Sequence, residues 1–319
     1  MKASGTKTRY FGLSEAGQVR AVNQDSFFVE AVGESGTLAL VADGMGGHKT
    51  GEVASQKAVQ IVAREFARAR AHPPAAIARA VRAANLAIYE YAVRFDENRG
   101  MGTTLTLVYL DDQVGLVGHV GDSRAYLVRE GEFRQLTQDH SWVAERVRQG
   151  LLTEEEAKGH RWRSVITNAL GATPEIKLDL GLFELRRGDR ILLCSDGVSM
   201  LLFEEHLARI VRENEPEEAV RQLIDEANAQ GSPDNITAVV VSVDELEARK
   251  KNYAPSQESG VQLSAVSLTA TMSGVRRVEE AFPLQDALST LRRRPWYPQR
   301  YWLMGCAALL VLILVFSLR

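Results

Sequence analysis

Two rhythms of apolar and polar residues alternate over the first 245 positions of the chain. Ile77, Val81, Ala84, Ile88, Tyr91 and Phe95 recur at three- and four-residue spacing, which predicts an amphipathic helix; 52–69 reads as another. Against these stand short apolar runs at 38–42, 105–110, 114–120, 190–195 and 236–243, which read as buried strands. Asp111-Asp112 and Arg129-Glu130-Gly131-Glu132 sit between such runs and predict antiparallel hairpins, while Gly12-Leu13 and Gly17–Arg20 read as hairpin or loop. Further strand patterning at 179–185 is followed by helical patterning at 200–213 and 216–230. Long helices mixed with hairpins predict an α+β fold rather than a purely parallel sheet.

The apolar runs are punctuated by acids. Asp43-Gly44-Met45-Gly46-Gly47 follows 38–42, Gly121-Asp122-Ser123-Arg124 follows 114–120, Asp196-Gly197 follows 190–195, and Asp234-Asn235 precedes 236–243; Asp25 is a fifth such mark. Carboxylates converging at strand ends repel one another, and hard divalent cations cancel that repulsion best. The glycines after Asp43 let the backbone turn sharply and leave the Gly44 carbonyl open to a ligand. Asp43 is thereby suited to bridge two cations, with the Gly44 carbonyl serving one. An Asx turn would explain Asp43 alone; the repeats at Asp196 and Asp234 favour an oxygen-ligand metal site. The six histidines show no zinc-binding spacing. Two ions sharing a carboxylate activate water and neutralise a phosphoryl group under in-line attack, which explains a phosphatase that needs no protein nucleophile. Cys194 is a poor nucleophile candidate, since no phosphate-cradling run follows it. Arg20, shortly before Asp25, has the forked guanidinium that grips two phosphoryl oxygens.

Charge narrows the partners. Lys and Arg total 38 against 41 for Asp and Glu, a net charge of -3, which argues against nucleic acid as the main ligand. Cys194 and Cys306 lie in apolar contexts and read as packing residues, consistent with a reducing compartment. Beyond 245 the composition turns to Ser, Thr, Pro, Gln and charge, so 246–301 reads as a flexible juxtamembrane linker. Residues 302–318 carry no charge and, as a helix, would rise roughly 25 Å. Arg292, Arg293, Arg294 and Arg300 precede them, with Trp296, Tyr297, Tyr301 and Trp302 as interface anchors. The expectation is a C-terminal transmembrane helix that fixes residues 1–245 to the cytoplasmic face of the cell membrane in a single-pass topology.

Read together, GQVRAVNQDSF (17–27), ALVADGMGGHKTGEVAS (39–55), GTTLT (102–106), HVGDSRAYL (119–127), LTQDHS (136–141), ITNALG (166–171), LLCSDGV (192–198) and SPDNITAVVV (232–241) closely resemble the metal-dependent protein Ser/Thr phosphatases of the PPM or PP2C family, particularly its bacterial branch. The resemblance implies a four-layer α-β-β-α sandwich, a central antiparallel β-sandwich flanked by helices, with a variable flap over about 141–170. It implies Mn2+ or Mg2+ at two core sites, with a third weaker site. Asp43 would bridge the core ions, Asp25 and the Gly44 carbonyl would bind one, Asp196 and Asp234 the other, and Asp122 with Asp196 the third. Arg20 would hold the phosphate. The implied partners are phosphorylated proteins and a bacterial Ser/Thr kinase with its substrates, the catalytic unit being monomeric. The alternatives are a phosphatase specialised for one regulatory phosphoprotein and a phosphoprotein-binding pseudophosphatase. Met45 departs from the many eukaryotic members that carry a histidine there, leaving the general acid unassigned. His48 and His119 read as structural, Asp139 and His140 as caps for the helix from Ser141, and Ser123 and Asn235 as orienting groups for neighbouring acids.

Overall fold

The computed structural model describes residues 6–33, 36–46, 50–68, 72–111, 113–246 and 262–268. Strands β1 (Lys7–Glu15), β2 (Asp25–Val32) and β3 (Gly36–Met45) precede helices α1 (Thr50–Arg68) and α2 (Pro73–Arg94). Next come β4 (Gly102–Thr103), β5 (Leu105–Asp111), β6 (Val114–Val120), β7 (Arg124–Arg129) and β8 (Glu132–Gln135). Short helices α3 (Trp142–Arg148) and α4 (Glu154–Lys158) lead to β9 (Ile176–Glu184) and β10 (Arg190–Cys194). Helices α5 (Asp196–Ser199), α6 (Glu204–Glu213) and α7 (Pro216–Ala229) precede β11 (Ile236–Glu245) and β12 (Gln262–Leu268).

Among the described residues the strands form two antiparallel sheets. One has the order β1-β11-β10-β7-β8, the other β12-β9-β6-β5-β3-β2 with β4 paired to β3. The unbroken apolar runs follow from burial on both faces. Ala39, Val41, Ile191, Leu193, Val239 and Val241 point between the sheets into a shared core. Their alternates face outward: Leu38, Leu40 and Ala42 meet α1 and α2, while Leu192, Cys194, Ala238 and Val240 meet the α6–α7 layer. The helices present matching stripes. Ala54, Ala58, Val62 and Phe66 line α1, Ile77, Val81, Ala84 and Ile88 line α2, and Ala219, Val220, Leu223 and Ile224 line α7. The result is four layers, α-β-β-α, with loops between the sheets gathered at one edge.

Several local expectations change. Gly12 lies within β1 rather than in a turn, because a Cβ there would stand 2.5 Å from the Phe27 ring, and the missing side chain makes room for that ring. The helix expected over 200–213 starts only at Glu204, as α6, because Phe203 ahead of it is extended; a separate short helix, α5, ends at Ser199. Residues 262–268, inside the segment read as a linker, pair with β9, Leu268 opposite Ile176.

The membrane anchor is corrected. Among the described residues no helix is long and apolar enough to cross a membrane, and 302–318, where the span was expected, lie outside the described residues. The longest described helices, α1 and α2, bury one apolar stripe in the protein and carry Lys, Arg and Glu elsewhere. An apolar run meets only the compositional requirement for a span, which also needs about 20 helical residues. The transmembrane layer of the fold, the single-pass membrane localisation and the membrane as a partner are withdrawn together.

Candidate active site

The site is assembled at the edge where β3, β10 and β11 leave or enter the sandwich. Asp43 stands near the end of β3, and its backbone is fully engaged: its N–H donates to Thr104 Oγ1 at 2.9 Å, while its carbonyl accepts from Thr104 N–H at 2.9 Å and Thr103 Oγ1 at 2.8 Å. The main chain is fixed, and the carboxylate takes no part in these bonds. Gly44 follows under tight constraint, since a Cβ there would lie 2.1 Å from the Gly51 carbonyl oxygen and 2.4 Å from that of Gln24. No other residue fits beside the start of α1.

Asp25 opens β2 and pairs in register with Asp43. Its Oδ2 accepts from Thr237 Oγ1 at 2.6 Å. Asp196 begins α5 immediately after β10, with Asp43 within hydrogen-bonding reach. Asp122 lies buried in the turn between β6 and β7, and Asp234 precedes β11. Ser123 connects two of these acids, its hydroxyl lying 2.8 Å from Thr104 Oγ1, the same oxygen that receives the Asp43 N–H.

Electrostatics shows how closely the acids converge. Withdrawal from water holds the Asp43 carboxyl well above the ordinary carboxylate range, and the charges of Asp25, Asp196, Asp122 and Asp234 push the same way. Burial raises Asp25 to about 7, opposed by the Thr237 and Ser195 hydroxyls and reinforced by Asp196 and Asp234. Asp196 is raised to about 6 by burial and then by Asp234, and Asp122 is raised by burial and then by Asp196. The nearby cations are committed at the margins. Arg124 makes a fork to both oxygens of Asp139, with its Nη2 2.7 Å from Oδ2.

The same acids carry unspent acceptors. Oδ1 of Asp25, Asp122 and Asp196 are buried without a hydrogen-bond partner, a costly state unless a cation occupies the space between them. The donor set is all oxygen, the chemistry that suits Mn2+ or Mg2+. Among the described residues no three acidic, histidine or cysteine side chains already close on one point.

Arg20 lies at the rim on the loop between β1 and β2, its side chain about half exposed. Its Nη2 donates to Asp234 Oδ2 at 2.8 Å and its Nε to the Pro233 carbonyl at 3.3 Å. Asn235 holds that loop in place: its Nδ2 donates to the carbonyls of Ala16 and Val22, both at 3.0 Å, and its Oδ1 accepts from Gln24 N–H at 2.8 Å. Gly197 allows the approach, since a Cβ there would sit 2.0 Å from the Asn235 carbonyl. The orienting role expected of Ser123 and Asn235 therefore has explicit partners. Thr104, Thr237 and Ser195 were missed from sequence; the GTTLT, SPDNITAVVV and LLCSDGV blocks contained them without indicating their partners.

The structure also separates residues from the chemistry. Cys194 points into the α-helical layer, and burial pushes its thiol up to about 12. Buried His119 is lowered to about 4 by burial and then by His140, and its ring nitrogens contact Thr106 Oγ1 and the Gln138 carbonyl. His48 lies outside the described residues. Ser141 itself caps α3, accepting from Ala144 N–H, so neither Asp139 nor His140 is the cap. Thr153 caps α4 in a full capping box with Glu156.

A model of the protein phosphatase 2C family matches residues 15–239. The chain belongs to the protein phosphatase 2C family. Among curated relatives it is similar to the serine/threonine protein phosphatase PstP of Mycobacterium tuberculosis, 41% identical over 237 residues, which are 74% of this chain and 45% of that protein. It is also similar to protein phosphatase PhpP of Streptococcus pneumoniae, 35% identical over 243 residues, 74% of this chain and 98% of that one. The chain thus spans just under half the length of the mycobacterial relatives. Among solved structures, the catalytic domain of PstP in complex with 2 manganese ions superposes with a TM-score of 0.68 at 38% identity, covering 76% of this chain and 100% of that one.

Proposed function

We propose that the chain hydrolyses phosphoserine and phosphothreonine in proteins with the aid of two divalent cations, Mn2+ or Mg2+, and so opposes a Ser/Thr protein kinase. The observation that carries this reading is the group of five mutually repelling acids, three of them with a buried oxygen that has no partner. The similarity to PstP and PhpP supports the same reaction class.

In this reading Asp43 would be shared by the two ions, Asp25 and the Gly44 carbonyl would hold one, Asp196 and Asp234 would hold the other, and Asp122 with Asp196 would hold a third, weaker ion. The bound cations supply an activated water and neutralise charge on the phosphoryl group. Thr237 and Ser195 hold the Asp25 carboxylate, and the Thr103-Thr104 pair fixes the Asp43 main chain, so both acids are positioned before an ion arrives. Arg20 orients phosphoryl oxygens at the rim, where its contact with Asp234 keeps it beside the acids. Met45 has no proton to give, so the leaving alkoxide takes its proton from another source.

The test is turnover of a phosphothreonine peptide by the purified full chain with and without Mn2+. Activity should require the ion and disappear in Asp43→Asn. Full-rate, metal-dependent turnover by that variant would remove Asp43 from the mechanism. Activity confined to one folded phosphoprotein would instead identify a specialised phosphatase.

A further inference from the structure

His140 is buried, 7% exposed, at the entrance to the segment that carries α3 and α4, and it joins four parts of the chain. Both backbone groups of Gly121 are bound to it: the Gly121 N–H donates to His140 Nδ1 at 3.1 Å, and the His140 N–H donates to the Gly121 carbonyl at 2.6 Å. The exit of the same segment is tied to it as well, through Asn168 Nδ2 to His140 Nδ1 at 3.0 Å and Thr167 N–H to the His140 carbonyl at 2.8 Å. Because Nδ1 accepts twice, the ring proton resides on Nε2 and is donated to Asp179 Oδ2 of β9 at 3.1 Å. The ring lies 4.9 Å from that of His119.

Gly121 needs such a clamp. Its φ of +108 is open to glycine alone, and a Cβ there would come within 2.5 Å of Thr104 Cγ2. A glycine in that region has many alternatives in the absence of external bonds, and the next residue is Asp122. Asn168 extends the connection, since its amide also donates to the Lys177 carbonyl of β9 at 2.7 Å.

We propose that His140 is a positioning residue: it fixes the Gly121–Asp122 turn and couples that turn to the segment 141–167, so that displacement of the segment loosens the carboxylate. The consequence for metal binding rests on the reading of Asp122 as a ligand of the third ion; the control of the turn does not.

Hydrogen exchange on the full-length, metal-free protein tests this. In His140→Ala the Gly121 amide should exchange roughly tenfold faster, the order expected for losing one buried hydrogen bond, together with amides across 141–167. His140→Asn, which restores an acceptor near the position of Nδ1, should recover most of the Gly121 protection. A Mn2+ titration followed by electron paramagnetic resonance should show the weakest class of bound ion lost in His140→Ala and the tighter classes kept. Unchanged Gly121 exchange in His140→Ala overturns the proposal. Should that variant fail to fold, Asn168→Ala, which unties the exit of the segment from the ring, should still speed Gly121 exchange severalfold, and no change there is equally fatal. Faster Gly121 exchange in a protein whose Mn2+ binding is indifferent to Asp122→Ala supports the positioning role and removes Asp122 from the ligand set.

Discussion

Asp25 and Asp43 stand directly opposite each other across the β2–β3 ladder. Like charges in that relationship destabilise a sheet, and here burial adds to the cost. The fold keeps them there with hydroxyl and amide partners rather than with a neutralising side chain. This arrangement costs the empty protein stability.

Removing one charge should therefore stabilise the empty protein. Asp25→Asn keeps an acceptor for Thr237 and eliminates the repulsion, so metal-free protein at pH 8 should gain about 1 kcal/mol of stability. The same variant should show a smaller rise in Tm with Mn2+ than the native chain. Calorimetry with chelator and with Mn2+ measures both, and an unchanged Mn2+ response would remove Asp25 from the ligand set.

The pH dependence has a definite sign. Asp25 and Asp196 are raised in the folded protein, to about 7 and about 6. Between the ordinary carboxylate range and those values the folded state binds more protons than the unfolded one, so these groups make stability fall as pH rises. Metal-free protein should lose Tm from about pH 4 to pH 7 through them, and saturating Mn2+ should flatten the slope by favouring the ionised forms. Proton release on Mn2+ binding should accordingly be larger at pH 6 than at pH 8. Calorimetry in buffers of different ionisation enthalpy gives that difference directly.

Arg20 offers a separation of binding from stability. Its ion pair with Asp234 is half exposed, so Arg20→Ala should change stability by less than about 1 kcal/mol. Its effect should fall on the substrate, raising KM for a phosphopeptide roughly tenfold and weakening inhibition by inorganic phosphate. Arg20→Lys should recover only part of this, since an ammonium lacks the fork. Unaltered phosphate inhibition in Arg20→Ala would exclude the guanidinium from phosphate binding.

Asn235 should behave in the opposite way. It is buried and serves three backbone groups of the loop that carries Arg20 and leads to Asp25. Asn235→Ala leaves those groups unpaired and should cost about 2–3 kcal/mol of stability, with weaker Mn2+ binding as the loop loosens. Thermal unfolding and a Mn2+ titration on the same preparation check the two effects together.

The legible and illegible parts of this chain divide along a physical line. Strands β3, β10 and β11 could be read because burial on both faces makes them continuous apolar runs, and the acids at their ends could be read because glycine and asparagine mark the turns beside them. The carboxylate group was legible as a set. Its supports were not. Thr237 reaches Asp25 across 212 positions and Thr104 reaches Asp43 across 61, distances set by strand register rather than by any local period. β2 was hidden because its faces are only partly buried, and His140 because a histidine before a helical serine looks like part of a cap. The apolar composition at 302–318 was legible too, but composition states affinity for an apolar phase and not a helix within one.

The position of Cys194 has a consequence for the conditions under which the chain can work. Its sulfur is packed beneath helices, and its thiol, raised to about 12, is almost wholly un-ionised at neutral pH. Peroxide and alkylating reagents attack thiolates, so phosphoester cleavage that makes no use of this sulfur should continue through an oxidative burst that silences phosphatases dependent on a cysteine nucleophile.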